Sequence, residues 1–137
     1  MLPRGGNRPR VGMPGWNLFA AWLGILLGFL TGAVQGLFFH DDSWQGGYSS
    51  WPRRISRLGH ISLFGLAFVN LAFVLTVDYL GIGAQVFWPS VLLIVGAFTM
   101  PLVCYLSAWR QAARHLFLVP VLSLIAAALL LLHRLAN

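Results

Sequence analysis

The chain has 137 residues, 58% of them hydrophobic and 9% charged, and its net charge of +6 is carried by arginine because lysine is absent. With a mean hydropathy of +0.78, it has too few polar side chains to clothe a water-soluble globule of this size. The basic balance does not point to nucleic acid. The arginines flank apolar runs instead of gathering on one face, which is the pattern of lipid headgroup contact. A single cysteine, Cys104, excludes an intramolecular disulfide.

Residues 1–15 carry Arg4, Arg8 and Arg10 among Gly and Pro and are expected to form a flexible basic tail. The apolar run behind them is longer than the about 7–15 residues of a cleaved signal, so it reads as a retained span. Four such spans follow one another, at about 16–39, 55–80, 86–109 and 115–132. At ~1.5 Å per residue, about 20 residues cross a hydrocarbon core of ~30 Å. The expected fold is an all-α membrane protein, with four transmembrane helices in an antiparallel up-down bundle forming one domain over residues 16–137. A β-barrel would need alternating segments of ~10 residues, and none is present. Tryptophans 16, 22, 44, 51, 88 and 109 lie mostly near span ends, where interfacial anchors belong.

On the first span Gly24, Gly28, Gly32 and Gly36 recur every fourth residue, with Ala20 one turn before them. Such a row makes a helix face without side chains, against which another helix can approach closely. It serves either packing within the bundle or docking of a second copy or a larger partner. The loop at 40–54 collects Asp41, Asp42, Gly46, Gly47, Ser49, Ser50 and Pro52. Its Trp44, Tyr48 and Trp51 predict that it lies against the membrane surface. The joints at 80–85 and 110–114 are short and make neighbouring helices antiparallel. Five arginines (Arg53, Arg54, Arg57, Arg110, Arg114) fall on the loop side and four (Arg4, Arg8, Arg10, Arg134) on the other. That near balance does not orient the bundle.

No Asp, Glu, Lys or Arg lies near the middle of a span. This argues against a proton-coupled pump, including the small multidrug exporters of similar size and span number, because coupling needs a buried ionisable group. Nor does any nucleophile have a visible base, so an enzyme is not the expected reading. Polar residues within spans include Thr31, Gln35, Asn70, Thr99 and Ser123. Asn70 is the deepest strong hydrogen-bonding group and is expected to join helices. Pro101 and Pro120 are expected to kink the third and fourth spans.

His40, His60 and His115 fall toward the loop side, and His133 on the opposite side. His60 and His115, at similar depth on different helices, suit the two axial positions of a b-type haem, with Arg57 and Arg114 meeting its propionates. Met100 and Cys104, one turn apart, form with His60 a soft donor set suited to Cu(I). The leading functional expectation is a small accessory or structural subunit, beside a larger membrane complex or self-associating through the glycine face. A haem-binding electron-transfer module is the alternative. The expected setting is a multi-pass protein of a bacterial-type inner membrane, with lipid and other membrane subunits as partners and no nucleic acid.

Overall fold

A computed structural model of the chain describes residues 13–136. The basic tail expected over residues 1–15 falls largely outside them, and Met13 already opens the first helix. Four helices, α1 (Met13–Phe38), α2 (Trp51–Leu80), α3 (Phe87–Trp109) and α4 (Leu118–Ala136), run up and down in sequence. Each carries an apolar stretch long enough to cross a membrane. In hydrocarbon every backbone amide must find its partner within the segment, which leaves these runs only the helix. The chain is a multi-pass integral membrane protein in contact with the lipid bilayer.

Helix ends differ from the hydropathy pattern where local chemistry overrides it. α2 begins at Trp51, ahead of the expected residue 55, because Ser50 caps it by accepting from the Arg53 amide at 3.3 Å and Pro52 sits in the first turn. Its 30 residues span about 45 Å, so this first turn stands in the headgroup layer. α2 stops at Gly81 in the left-handed conformation (φ 66), where the Gly81 and Ile82 amides donate to Asp78 and Val77. α4 is preceded by a 3-10 segment, Gln111–Phe117, which contains His115. Pro120 lies in the first turn of α4, directly after the 3-10 segment.

α2 packs on both α1 and α3, α1 also touches α3, and α4 leans on α3. The glycine row is what admits α2 to α1. A Cβ built on Gly24 would lie 3.1 Å from both the Ala67 Cβ and the Leu63 carbonyl oxygen; on Gly28 it would lie 2.7 Å from the Phe64 ring, and on Gly32 2.7 Å from the His60 ring. At Gly36 such an atom would meet nothing within 4 Å. Three glycines are thus occupied by the chain's own second helix, and the fourth lies beyond the contact. On α3, Gly96 similarly receives Leu124 of α4.

Opposite the loop, Phe73, Val77, Val86, Leu93 and Ala127 form an apolar core. Nearby, a buried polar knot joins three helices. Asn17 Nδ2 donates to Asn70 Oδ1 at 2.8 Å and to the Ser90 carbonyl at 3.2 Å. Ser90 Oγ donates to Asn17 Oδ1, and Asn70 Nδ2 to the Leu66 carbonyl at 2.9 Å. Asn70 does join helices as its depth implied, with Asn17 and Ser90 closing the set. α4 is attached by Ser123 Oγ, which donates to the Leu92 carbonyl at 2.7 Å.

The glycine contact yields a paired test. Gly24→Leu forces a side chain against α2 backbone and should destabilise the bundle by about 1–3 kcal/mol. Gly36→Leu should leave stability unchanged. Denaturation of both variants in the same detergent, followed by circular dichroism, checks the contrast.

Candidate functional site

The loop end of the bundle is organised by Arg53. This residue lies in the first turn of α2 and is 1% exposed. Its guanidinium donates to the carbonyls of Phe39 at 3.0 Å and Asp41 at 3.1 Å. It also stands over the rings of Phe39, Trp44 and Tyr48, 5.3, 5.6 and 5.4 Å from their centroids. One turn later Arg57 covers Tyr48 at 4.6 Å and donates to its carbonyl at 3.2 Å. Cation–π contacts gain strength when water is excluded. Together the two arginines fold residues 39–50 over the end of the bundle as a cap.

Within the cap, Gln45 adopts a left-handed backbone (φ 56), followed by Gly46 (φ 85) and Gly47 (φ 100). For a residue with a Cβ this conformation costs roughly 1–2 kcal/mol. Ser50 Oγ holds it by donating to the Gln45 carbonyl at 2.7 Å. The Gln45 side chain points into the bundle, toward a cleft between α1 and α3 whose floor is α2.

The cleft comprises two neighbouring hollows that share Thr31 and Tyr105 at their borders. The deeper part, about 230 Å³, is lined by apolar groups including Gly24, Leu27, Ala67, Ala97 and Pro101. The shallower part, about 260 Å³, lies under the cap and is lined by Gln35, Gln45, Ser56 and Trp44. Gln35 Nε2 donates to the Tyr105 hydroxyl at 3.2 Å and to the Ser56 carbonyl at 3.5 Å. Thr31 Oγ1 donates to the Leu27 carbonyl at 2.8 Å and lies 3.2 Å from His60 Nδ1. Thr31 Oγ1 also lies 3.2 Å from the Gly28 carbonyl. Two polar atoms in the shallow part, Ser56 Oγ and Gln45 Oε1, are buried without a hydrogen-bond partner.

The residues that sequence reasoning singled out are dispersed. His60 is half-buried, lies over Gly32, and meets Phe64 edge-on at 5.4 Å. His115 is exposed in the 3-10 segment, beside a separate hollow bordered by Arg114 and Phe117. No hydrogen bond or ring contact joins the two imidazoles, and Arg57 is engaged with Tyr48. Cys104 is buried against Gly59, while His60, one residue on and about 100° round the helix, turns to α1. Met100 is half-buried on α3. Among the described residues no group of three or more His, Cys, Asp or Glu side chains is placed to hold a metal ion.

Arg53, Ser56, Tyr105, Asn17 and Ser90 were not picked out by sequence reasoning. A signal existed for some of them. Asn17, Gly24 and Thr31 are spaced by seven, as are Ala21, Gly28 and Gln35, so the polar residues extend the glycine stripe. Nothing in the pattern distinguishes Arg53 from the exposed Arg54 beside it.

Arg53→Ala removes the cap's anchor and leaves two carbonyls unpaired, a loss of about 1.5–3 kcal/mol. Amide hydrogen exchange across residues 39–50 should accelerate while exchange in the helix centres holds. Arg53→Lys should restore only part of the protection, since an ammonium lacks the planar fork.

Asp41 offers a pH test. Its carboxylate accepts from the Ser43 hydroxyl at 2.7 Å and the Ser43 amide at 2.8 Å, and these bonds hold its pKa below the ordinary 3.8. The bonds therefore support the cap above that ordinary value and are lost as pH falls through the lowered one. Ser43→Ala should raise the Asp41 midpoint, read by NMR titration of its carboxyl carbon.

Comparison with family models, with curated proteins and with solved structures finds no match to this chain.

Proposed function

We propose that the chain is a non-catalytic accessory subunit of a larger membrane assembly, and that α4 is the helix it presents to that assembly. The supporting observation is the unequal use of helix faces. The glycine face of α1, the obvious docking surface in the sequence, is covered by α2 at Gly24, Gly28 and Gly32. α4, in contrast, buries Pro120, Ser123 and Ala127 against its neighbours. Its outer side presents Leu118, Leu122, Ile125, Leu129 and Leu132, all exposed. These alternate by four and three residues, as the exposed Phe19, Trp22, Leu26 and Phe29 of α1 also do, but the span that contains α4 is the least buried of the four. Self-association, if this subunit pairs with itself, uses that seam and not the glycine row.

A bacterial-type inner membrane suits the reading, since its spanning proteins are helical where outer-membrane proteins are barrels. The haem alternative is not favoured by a specific observation: His60 contacts Thr31 at the α1–α2 interface, and His115 is exposed in the 3-10 segment.

Cysteines placed at Leu122 and Leu129 in a Cys104→Ser background give the test. In native membranes a short bismaleimide should link these positions to a heavier partner or to a second copy, while a cysteine at Phe19 on α1 stays unlinked. A monodisperse monomer extracted in mild detergent, with no product from either α4 position, would sink the proposal.

A further inference from the structure

We propose that the cleft between α1 and α3 is a binding site for an uncharged amphiphile: an apolar tail carrying a carbonyl or hydroxyl head. Prenyl quinones and diacylglycerols are two membrane sources of that chemistry. The inference does not depend on the accessory-subunit reading, and its test is independent of any partner.

The division of the cleft follows the bilayer. The part toward the membrane middle is walled by Leu27, Ala67, Ala97 and Pro101 and accepts a hydrocarbon or prenyl tail. The part under the cap is bordered by the amides of Gln35 and Gln45 and the hydroxyls of Thr31, Ser56 and Tyr105. A tail therefore enters the hydrophobic half while its head reaches the interface. Small residues on α1, α2 and α3 keep the tail channel open.

The head must be neutral. Every side chain lining the shallow part is uncharged. Arg53, on α2, turns its two terminal nitrogens to the Asp41 and Phe39 carbonyls and is enclosed by three aromatic rings. It supplies no counter-charge for a phosphate, and a buried unpaired anion is costly.

The head must also form hydrogen bonds. Ser56 is 2% exposed, borders the cleft, and has no partner for its hydroxyl. Gln45, whose Oε1 is likewise buried and unpartnered, borders the same space. A buried polar group left unpaired costs about 1–3 kcal/mol, and native structures leave few of them. One donor and one acceptor bordering one hollow fit a head that offers both, such as a hydroxyl, or a carbonyl accepting from Ser56 once the Gln45 amide rotates its nitrogen inward.

Native mass spectrometry of the full chain in detergent tests this, with decylubiquinone, dioleoylglycerol and dioleoylphosphatidylglycerol as probes. A one-to-one adduct is expected with a neutral probe, and whichever of the two persists at higher collision energy identifies the source. The phosphatidylglycerol, with the same tails as the diacylglycerol and a charged head, should bind more weakly. Ser56→Ala should weaken the neutral adduct about fivefold, the effect of one lost hydrogen bond. Ala97→Leu should abolish it by filling the tail channel. Ser56→Ala removes one oxygen and keeps the packing, so it decides the matter even where Ala97→Leu fails to fold. Absence of adducts with both neutral probes overturns the proposal, as does equal binding of the anionic probe or a neutral adduct unchanged in Ser56→Ala.

Discussion

The close approach of α1 to α2 over Gly24, Gly28 and Gly32 is the constraint on which the other features rest. Lipid is as apolar as leucine, so burial of apolar surface does not hold two such helices together. Contact does, and contact at this range requires that one helix give up its side chains. Once α2 has moved in, His60 lies over Gly32 and Thr31, and Gln35 comes within reach of the Ser56 carbonyl. α3, which packs mainly on α2, then stands off from α1, and the cleft is the space that remains.

Polarity is sorted along the bundle to match the bilayer. At one end the Asn17–Asn70–Ser90 knot satisfies itself and lies beside a dry apolar core. At the other end the polar groups are more numerous and less complete. Arg53 is the extreme case, a buried cation whose partners are carbonyl oxygens and ring faces. It trades hydration for partial charges that the loop supplies, and the loop in turn is ordered by it. The cap and its anchor are thus mutually dependent, and the shallow half of the cleft exists only while both are in place.

How far the sequence could be read depended on whether a feature is local. The four spans were legible because twenty apolar residues in succession leave the backbone one solution. The start of α2 was written in Ser50 and Pro52 and overlooked because hydropathy is low there. Asn70 was recognisable as a helix joiner, but its partners were not, since Asn17 and Ser90 come from helices whose rotation the pattern leaves free. The same freedom leaves the directions of His60 and His115 unspecified by the sequence. Depth along a helix can be counted from the sequence, whereas direction around it comes from packing, and a ligand set needs both. For Arg53 even the local environment misleads: its neighbour Arg54 has the same composition around it and is exposed.

The knot of Asn17, Asn70 and Ser90 also bears on how the protein is made. These side chains belong to α1, α2 and α3, which leave the ribosome in that order. Until α3 has entered the bilayer, Asn17 has one of its two partners, and its remaining amide capacity faces lipid or a neighbouring water. The arrival of Ser90 completes the set, so the three-helix unit becomes a closed object at a definite moment of synthesis. α4, attached through Ser123 and the Leu124 seat on Gly96, joins a body already formed. Assembly then has an order set by hydrogen bonding, with α4 joining after α1, α2 and α3.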